Sequence, residues 1–259
     1  MKSVELGKRF IDNPLTPSVL AALGVLQDET VSALYDNKVK HLNTIYGIWT
    51  TDGYVKNKNK FLGELSLSRT AISQDEFQLA IEQIYYNADF VNHRITSTMV
   101  CRNNPLASPV SWKLTCDFTD ASKSRLYDNS NFTETARFVG NEVNRIISGS
   151  SFKRKVSDNF TSDWSLLSVI NRLPFDASVR YEFDMLEGLR RFRKNNILVY
   201  KGKTEFHHFQ QIGTGILPYD YWLNDEHLLV MVITGNRAYI PMDLIAGDWK
   251  KRSEANDED

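Results

Sequence analysis

The densest set of side chains able to move a proton is Glu205-Phe206-His207-His208-Phe209-Gln210-Gln211. On a β-strand, Glu205, His207, Phe209 and Gln211 share one face, and Phe206, His208, Gln210 and Ile212 share the other. A carboxylate and an imidazole so spaced can share a substrate proton, and imidazole is the side chain that titrates nearest neutrality. Glu205 and His207 are therefore the candidate acid/base pair. The same residues also read as an edge strand whose outward side chains sit in water.

Arg94 and Glu82 fall on the polar faces of adjacent candidate strands, with Lys113 on the next. They suit a substrate carboxylate, or else a cross-strand ion ladder of little energetic weight in water. Tyr219, Tyr221 and Trp222 supply either an aromatic pocket wall with polar hydroxyls or ordinary core packing. Arg190, Arg191, Arg193 and Lys194 form a basic run that reads as a solvated helix face. Without further basic stripes it does not point to nucleic acid. Gly213-Thr214-Gly215 lacks the following glycine and helix of a dinucleotide site and reads as a bend or bulge. There is no phosphate loop, His-Glu-x-x-His, Cys-x-x-Cys, Gly-x-Ser-x-Gly or calcium loop, so the sequence leads us to expect neither cofactor nor metal.

The elements that must position these residues are mostly strands. Period-two alternation runs through residues 61–68, 77–82, 95–101 and 112–118, with Ser73-Gln74-Asp75 as a turn and Asn103-Asn104-Pro105 breaking the chain again. Strand signals return at 197–200, 205–212, 219–223, 228–234 and 238–242, joined in part by the compact turns Asn224-Asp225 and Gly235-Asn236. Residues 122–151 are harder to read, with strands expected around 135–139 and 143–147. Thr16 and Pro17 begin a helix carrying Val19, Leu20, Leu23 and Leu26 and ending near Asp36. Ser162 or Asp163 caps a second, with Trp164, Leu167 and Ile170 inward. A further short helix is expected from Met185, Leu186, Leu189 and Phe192. The fold class is thus mainly β (α+β): one curved antiparallel sheet forming a half-open roll or barrel with a few packed helices.

Composition agrees with a single globular domain. Of 259 residues, 42% are hydrophobic and 12% aromatic, and 31 basic against 32 acidic side chains leave a net charge of -1. Residues 1–249 are expected to form the domain, and 250–259, highly charged, a disordered tail. No apolar run reaches the roughly 20 residues of a membrane span. The stretch 15–26 lacks a charged leader and a cleavage site, and Cys101 and Cys116 give neither disulfide framework nor metal spacing. A reducing, cytoplasmic location is the expectation, although sequons at Asn131 and Asn159 would admit glycosylation in a secreted chain.

The segment 210–223, followed by Leu228-Leu229-Val230, together with Trp164-Ser165-Leu166-Leu167 and Arg172-Leu173-Pro174, resembles the cyclase of the cyanobacterial scytonemin pathway and related bacterial β-sheet proteins. The resemblance covers about a third of the chain and contains no catalytic motif, so it transfers no active-site residue. It implies a cofactor-free enzyme closing a ring on an aromatic β-keto acid with loss of carbon dioxide. Two functions therefore stand side by side: an acid/base cyclase, and a non-catalytic carrier or sensor of a hydrophobic aromatic small molecule. What separates them is whether Glu205 and His207 point into a cavity or into water. The sequence leaves the oligomeric state open.

Overall fold

The computed structural model describes residues 13–22, 41–51, 58–86, 92–119, 131–188 and 191–242. The described strands are β1 (His41–Thr50), β2 (Phe61–Ala71), β3 (Glu76–Tyr86), β4 (Asn92–Arg102), β5 (Pro109–Thr119), β6 (Phe132–Val139), β7 (Glu142–Ile147) and β8 (Ser150–Lys155), then β9 (Phe160–Ser162), β10 (Arg180–Glu187), β11 (Arg191–Lys203), β12 (His207–Ile212), β13 (Tyr219–Leu223), β14 (Leu229–Thr234) and β15 (Arg237–Pro241). They form one sheet in the order β8-β7-β6-β5-β4-β3-β2-β1-β15-β14-β13-β12-β11-β10-β9. Every neighbouring pair is antiparallel except β9 with β10. The expected curved antiparallel sheet is present, with few and short helices. The expected helix at Thr16 and Pro17 is seen as α1 (Pro17–Ala22), and its continuation toward Asp36, like the tail 250–259, lies outside the described residues.

Alternation in β2 and β3 turns Leu65, Leu67, Phe77, Leu79 and Ile81 inward, because a period-two strand buries every second side chain. At the far ends of the sheet the pattern changes. Residues 183–186 of β10 are buried on both faces. On one side Gln211 donates to Met185 Sδ, while on the other Phe192, opposite Leu186, stacks on Phe160 and is covered by the guanidinium groups of Arg145 and Arg154. Phe160 in turn stacks on Phe138. The β9–β11 edge thus packs against the β6–β8 edge through rings and cations, and among the described residues no strand pairing joins β8 to β9.

This arrangement corrects the helix expected from Met185 to Phe192. A strand covered on both faces reads as a continuous apolar run, and such a run mimics helical spacing. The reversal is made at Gly188, whose φ of 54° is the left-handed conformation glycine adopts cheaply. The central helical insert likewise reduces to α2 (Asp163–Leu167) and a single 3-10 turn, Ile170–Arg172. Ser162, not Asp163, is the cap: its Oγ accepts the Ser165 N–H at 3.0 Å. Trp164, Leu167 and Ile170 are all buried, as their spacing predicts. Residues 131–155 supply β6 and β7 near their expected places, and β8, exposed throughout, which the sequence did not announce.

Cys101 lies opposite Pro109 and Cys116 opposite Ile95, both free and buried. Those registers put them six positions apart along β4, roughly 20 Å at about 3.3 Å per residue, beyond the reach of a disulfide.

Candidate functional site

The plug formed by α2 does not fill the roll. Beside it a cavity of about 500 Å³ remains, within the roughly 300–1,000 Å³ typical of small-molecule sites. Its inner wall is apolar, with Leu65, Ile95, Trp164, Leu167, Tyr221 and Val232. Its mouth is bordered by the β12–β13 loop at Gly215 and Leu217 and by the β14–β15 turn at Gly235 and Asn236, all exposed. That turn is tight because Gly235 takes a φ of 59° between the paired Thr234 and Arg237, the geometry of a two-residue hairpin.

Two carboxylates reach the polar wall. Asp163 leads α2, and its oxygens accept the N–H groups of Trp164 at 2.9 Å and Gly188 at 2.8 Å. It keeps accessible surface only because it faces the cavity. Protein crowds it closely enough that burial pushes its carboxyl up to about 6, against the two N–H bonds that favour the charge. Glu187 behaves oppositely: burial pushes it up, but the Tyr219 hydroxyl and the Arg193 guanidinium, which donates through Nε at 2.9 Å, bring it below the ordinary glutamate value. Burial and the hydrogen bond to Glu187 hold the Tyr219 hydroxyl protonated well above its usual range.

Across the mouth, Arg237 donates to the Tyr85 hydroxyl at 2.7 Å and lies 4.8 Å from the centre of that ring. Tyr85 owes its place partly to Gly63. The pair sit opposite each other in register, and a Cβ on Gly63 would overlap the Ile84 carbonyl oxygen.

The residues singled out from sequence are divided by this geometry. Tyr219 and Tyr221 line the cavity, and the Tyr221 hydroxyl donates to Gln211 at 3.0 Å. Trp222, one position along, lies on the other face of the sheet, where it stacks on His208 and packs against a second core that includes Phe206 and Met231. Arg94 and Glu82 pair on the exterior, Nε to Oε1 at 2.7 Å, with side chains 54% and 41% exposed, so they form a ladder and not a pocket anchor. Glu205 lies in the turn before β12, exposed, and accepts from Ser18 Oγ.

His207 does share a face with Phe209 and Gln211, but it begins β12, while Gln211 lies opposite Tyr219 at the cavity end of the strand. Four residues of strand, about 13 Å at roughly 3.3 Å per residue, separate His207 from that end. It stacks on Phe175 with ring centres 3.6 Å apart, and it bonds Tyr200 through Nδ1 and Asp225 through Nε2. Glu205 and His207 are therefore brought neither to each other nor to the cavity.

The sequence did not single out Tyr85, Asp163, Glu187 and Arg237, which line the cavity. A period-two reading of 185–193 would have put Met185, Glu187, Arg191 and Arg193 on one face. Among the described residues no cluster of three or more His, Cys, Asp or Glu side chains is placed to hold a metal, and no helix is long and apolar enough to cross a membrane.

No family model and no curated protein matches the chain. Among solved structures it is similar to a β-barrel-like protein of a domain of unknown function, DUF1849, from Brucella abortus, at 8% identity and a TM-score of 0.47, over 78% of this chain and 94% of that one.

Proposed function

We propose that the protein binds a hydrophobic small molecule inside the roll, as a carrier or sensor. The observation that supports this reading is the cavity itself: about 500 Å³ of space walled by Leu65, Ile95, Trp164, Leu167, Tyr221 and Val232 in a sheet interior that is otherwise closely filled. Apolar and aromatic surface of this kind supplies binding free energy without any proton transfer. A decarboxylative cyclase on the same cavity would have to draw its acid from Asp163, Glu187 or a lining tyrosine, since neither Glu205 nor His207 lines it.

Titration with the neutral fluorophore N-phenylnaphthylamine tests the reading. The parent should bind it with a blue-shifted emission, and Val232→Trp, which fills the cavity, should lose that binding while keeping the parent's circular dichroism. Val232→Phe serves if the larger ring unfolds the chain. A parent that does not bind, or a filled and folded variant that binds equally well, overturns the reading. Native mass spectrometry of protein from its own host would then identify the co-purifying ligand. Conversion of an aromatic β-keto acid in single turnover would move the function to the cyclase side.

A further inference from the structure

We infer, building on the cavity reading above, that the ligand is an amphipathic acid: an apolar, aromatic-compatible body seated against Trp164 and Tyr221, with one anionic group held at the mouth by Arg237. Three arginines, Arg191, Arg193 and Arg237, line the cavity against two carboxylates, Asp163 and Glu187. Each carboxylate oxygen already accepts a hydrogen bond from the protein. Glu187 is engaged by Tyr219 on one oxygen and Arg193 on the other, and Asp163 spends its oxygens on the backbone of Trp164 and Gly188.

The cations are not equally engaged. Arg193 is committed to Glu187. Arg237 donates to a neutral phenol and lies over its ring, and among the described residues neither Arg237 nor Arg191 has a carboxylate within ion-pair distance. The contact with Tyr85 holds the guanidinium, and among the described residues its further N–H donors have no carboxylate partner, leaving a pre-organised fork that suits a carboxylate or sulfonate.

The direction of the ligand follows from the same charges. An anion pushed to the inner end would meet Asp163, whereas one at the exposed Arg237 keeps part of its hydration and leaves the apolar body to the buried wall. The tip of the mouth is itself apolar: Leu217 is 66% exposed, beside Gly235.

A matched pair of probes separates this inference from the cavity reading. Anilinonaphthalene sulfonate carries the skeleton of N-phenylnaphthylamine plus one anionic group. The parent should bind the sulfonate more tightly than the neutral probe, and Arg237→Leu should weaken the sulfonate about tenfold or more while leaving the neutral probe within about twofold. Arg237→Lys, which keeps the charge without the fork, should fall between. Added salt should weaken only the sulfonate. If the parent binds the neutral probe as well as the sulfonate, or if Arg237→Leu affects both alike, the acid preference is overturned and the cavity reading survives. If the parent binds neither, both fall together.

Discussion

The two ends of the roll's interior are built on the same strands and resolved in opposite ways. At the β12 start, Phe175 lies between His207 and His227, with ring centres 3.6 and 3.8 Å away and planes within 7° and 4° of parallel. Rings fill the space, and Tyr200 and Asp225 take up His207's nitrogens. At the opposite end, α2 leaves a void, and the polar groups around it are fixed by neighbours while still facing open space. His207, in a dense aromatic stack with both nitrogens bonded, is a packing residue. An aspartate that touches backbone N–H groups beside a cavity is exposed to whatever enters. Accessible, chemically poised surface, and not residue type, distinguishes the ends.

Trp164→Ala should break the cavity end most severely. Trp164 is buried, and its indole N–H reaches Gln83 at 3.3 Å, so truncation removes both wall and anchor. The expected cost is about 3–5 kcal/mol, read from the shift in denaturant midpoint at constant slope. A loss below about 1 kcal/mol would mean that α2 does not plug the roll.

A subtler asymmetry is the response to pH. Asp163's carboxyl is raised by burial to about 6 from 3.8, so between roughly pH 4 and 6 the folded chain keeps a proton that the unfolded chain has released. Its contribution is therefore full below about pH 4, falls as pH rises through that window, and is flat above it. The difference is on the order of 2 kcal/mol once its contact with the solvent-filled cavity is discounted. The difference in unfolding free energy between parent and Asp163→Asn, measured from pH 3.5 to 7.5, should carry this downward step, which subtraction isolates from the other titrating groups. A flat difference would mean that the carboxyl is hydrated like a surface one.

The smallest effect belongs to the filled end. His207→Gln should cost about 1 kcal/mol for the altered hydrogen bonds to Tyr200 and Asp225, and it should leave the affinity for either naphthyl probe within about twofold. A tenfold loss of probe binding without a matching loss of stability would join the two ends into one site, and the comparison would fail.

Local periodicity alone determined a good deal of this protein. Alternation at 61–68, 77–82, 95–101 and 112–118 marked four consecutive strands, because a strand with one covered face must bury every second side chain. Gly235-Asn236 marked its hairpin through backbone preference, and Ser162 or Asp163 marked a helix start through a side-chain oxygen able to cap, of which the structure uses Ser162. Residue type put Tyr219, Tyr221 and Trp222 in one wall or core; in the strand Tyr219 and Tyr221 share the inner face and Trp222 falls on the other, against a second core.

Tertiary structure alone decided which covered face would be left unfilled. The strand at 180–187 carries no alternating pattern, since the overlap of the sheet's two edges buries both its faces, and that overlap joins residues far apart in sequence. Asp163, Glu187, Tyr85 and Arg237 come from α2, β10, β3 and β15, and no local spacing relates them. Register and the roll of the sheet bring them to one cavity, while the His207 segment, richest in titratable side chains, is carried to the end that its own rings close.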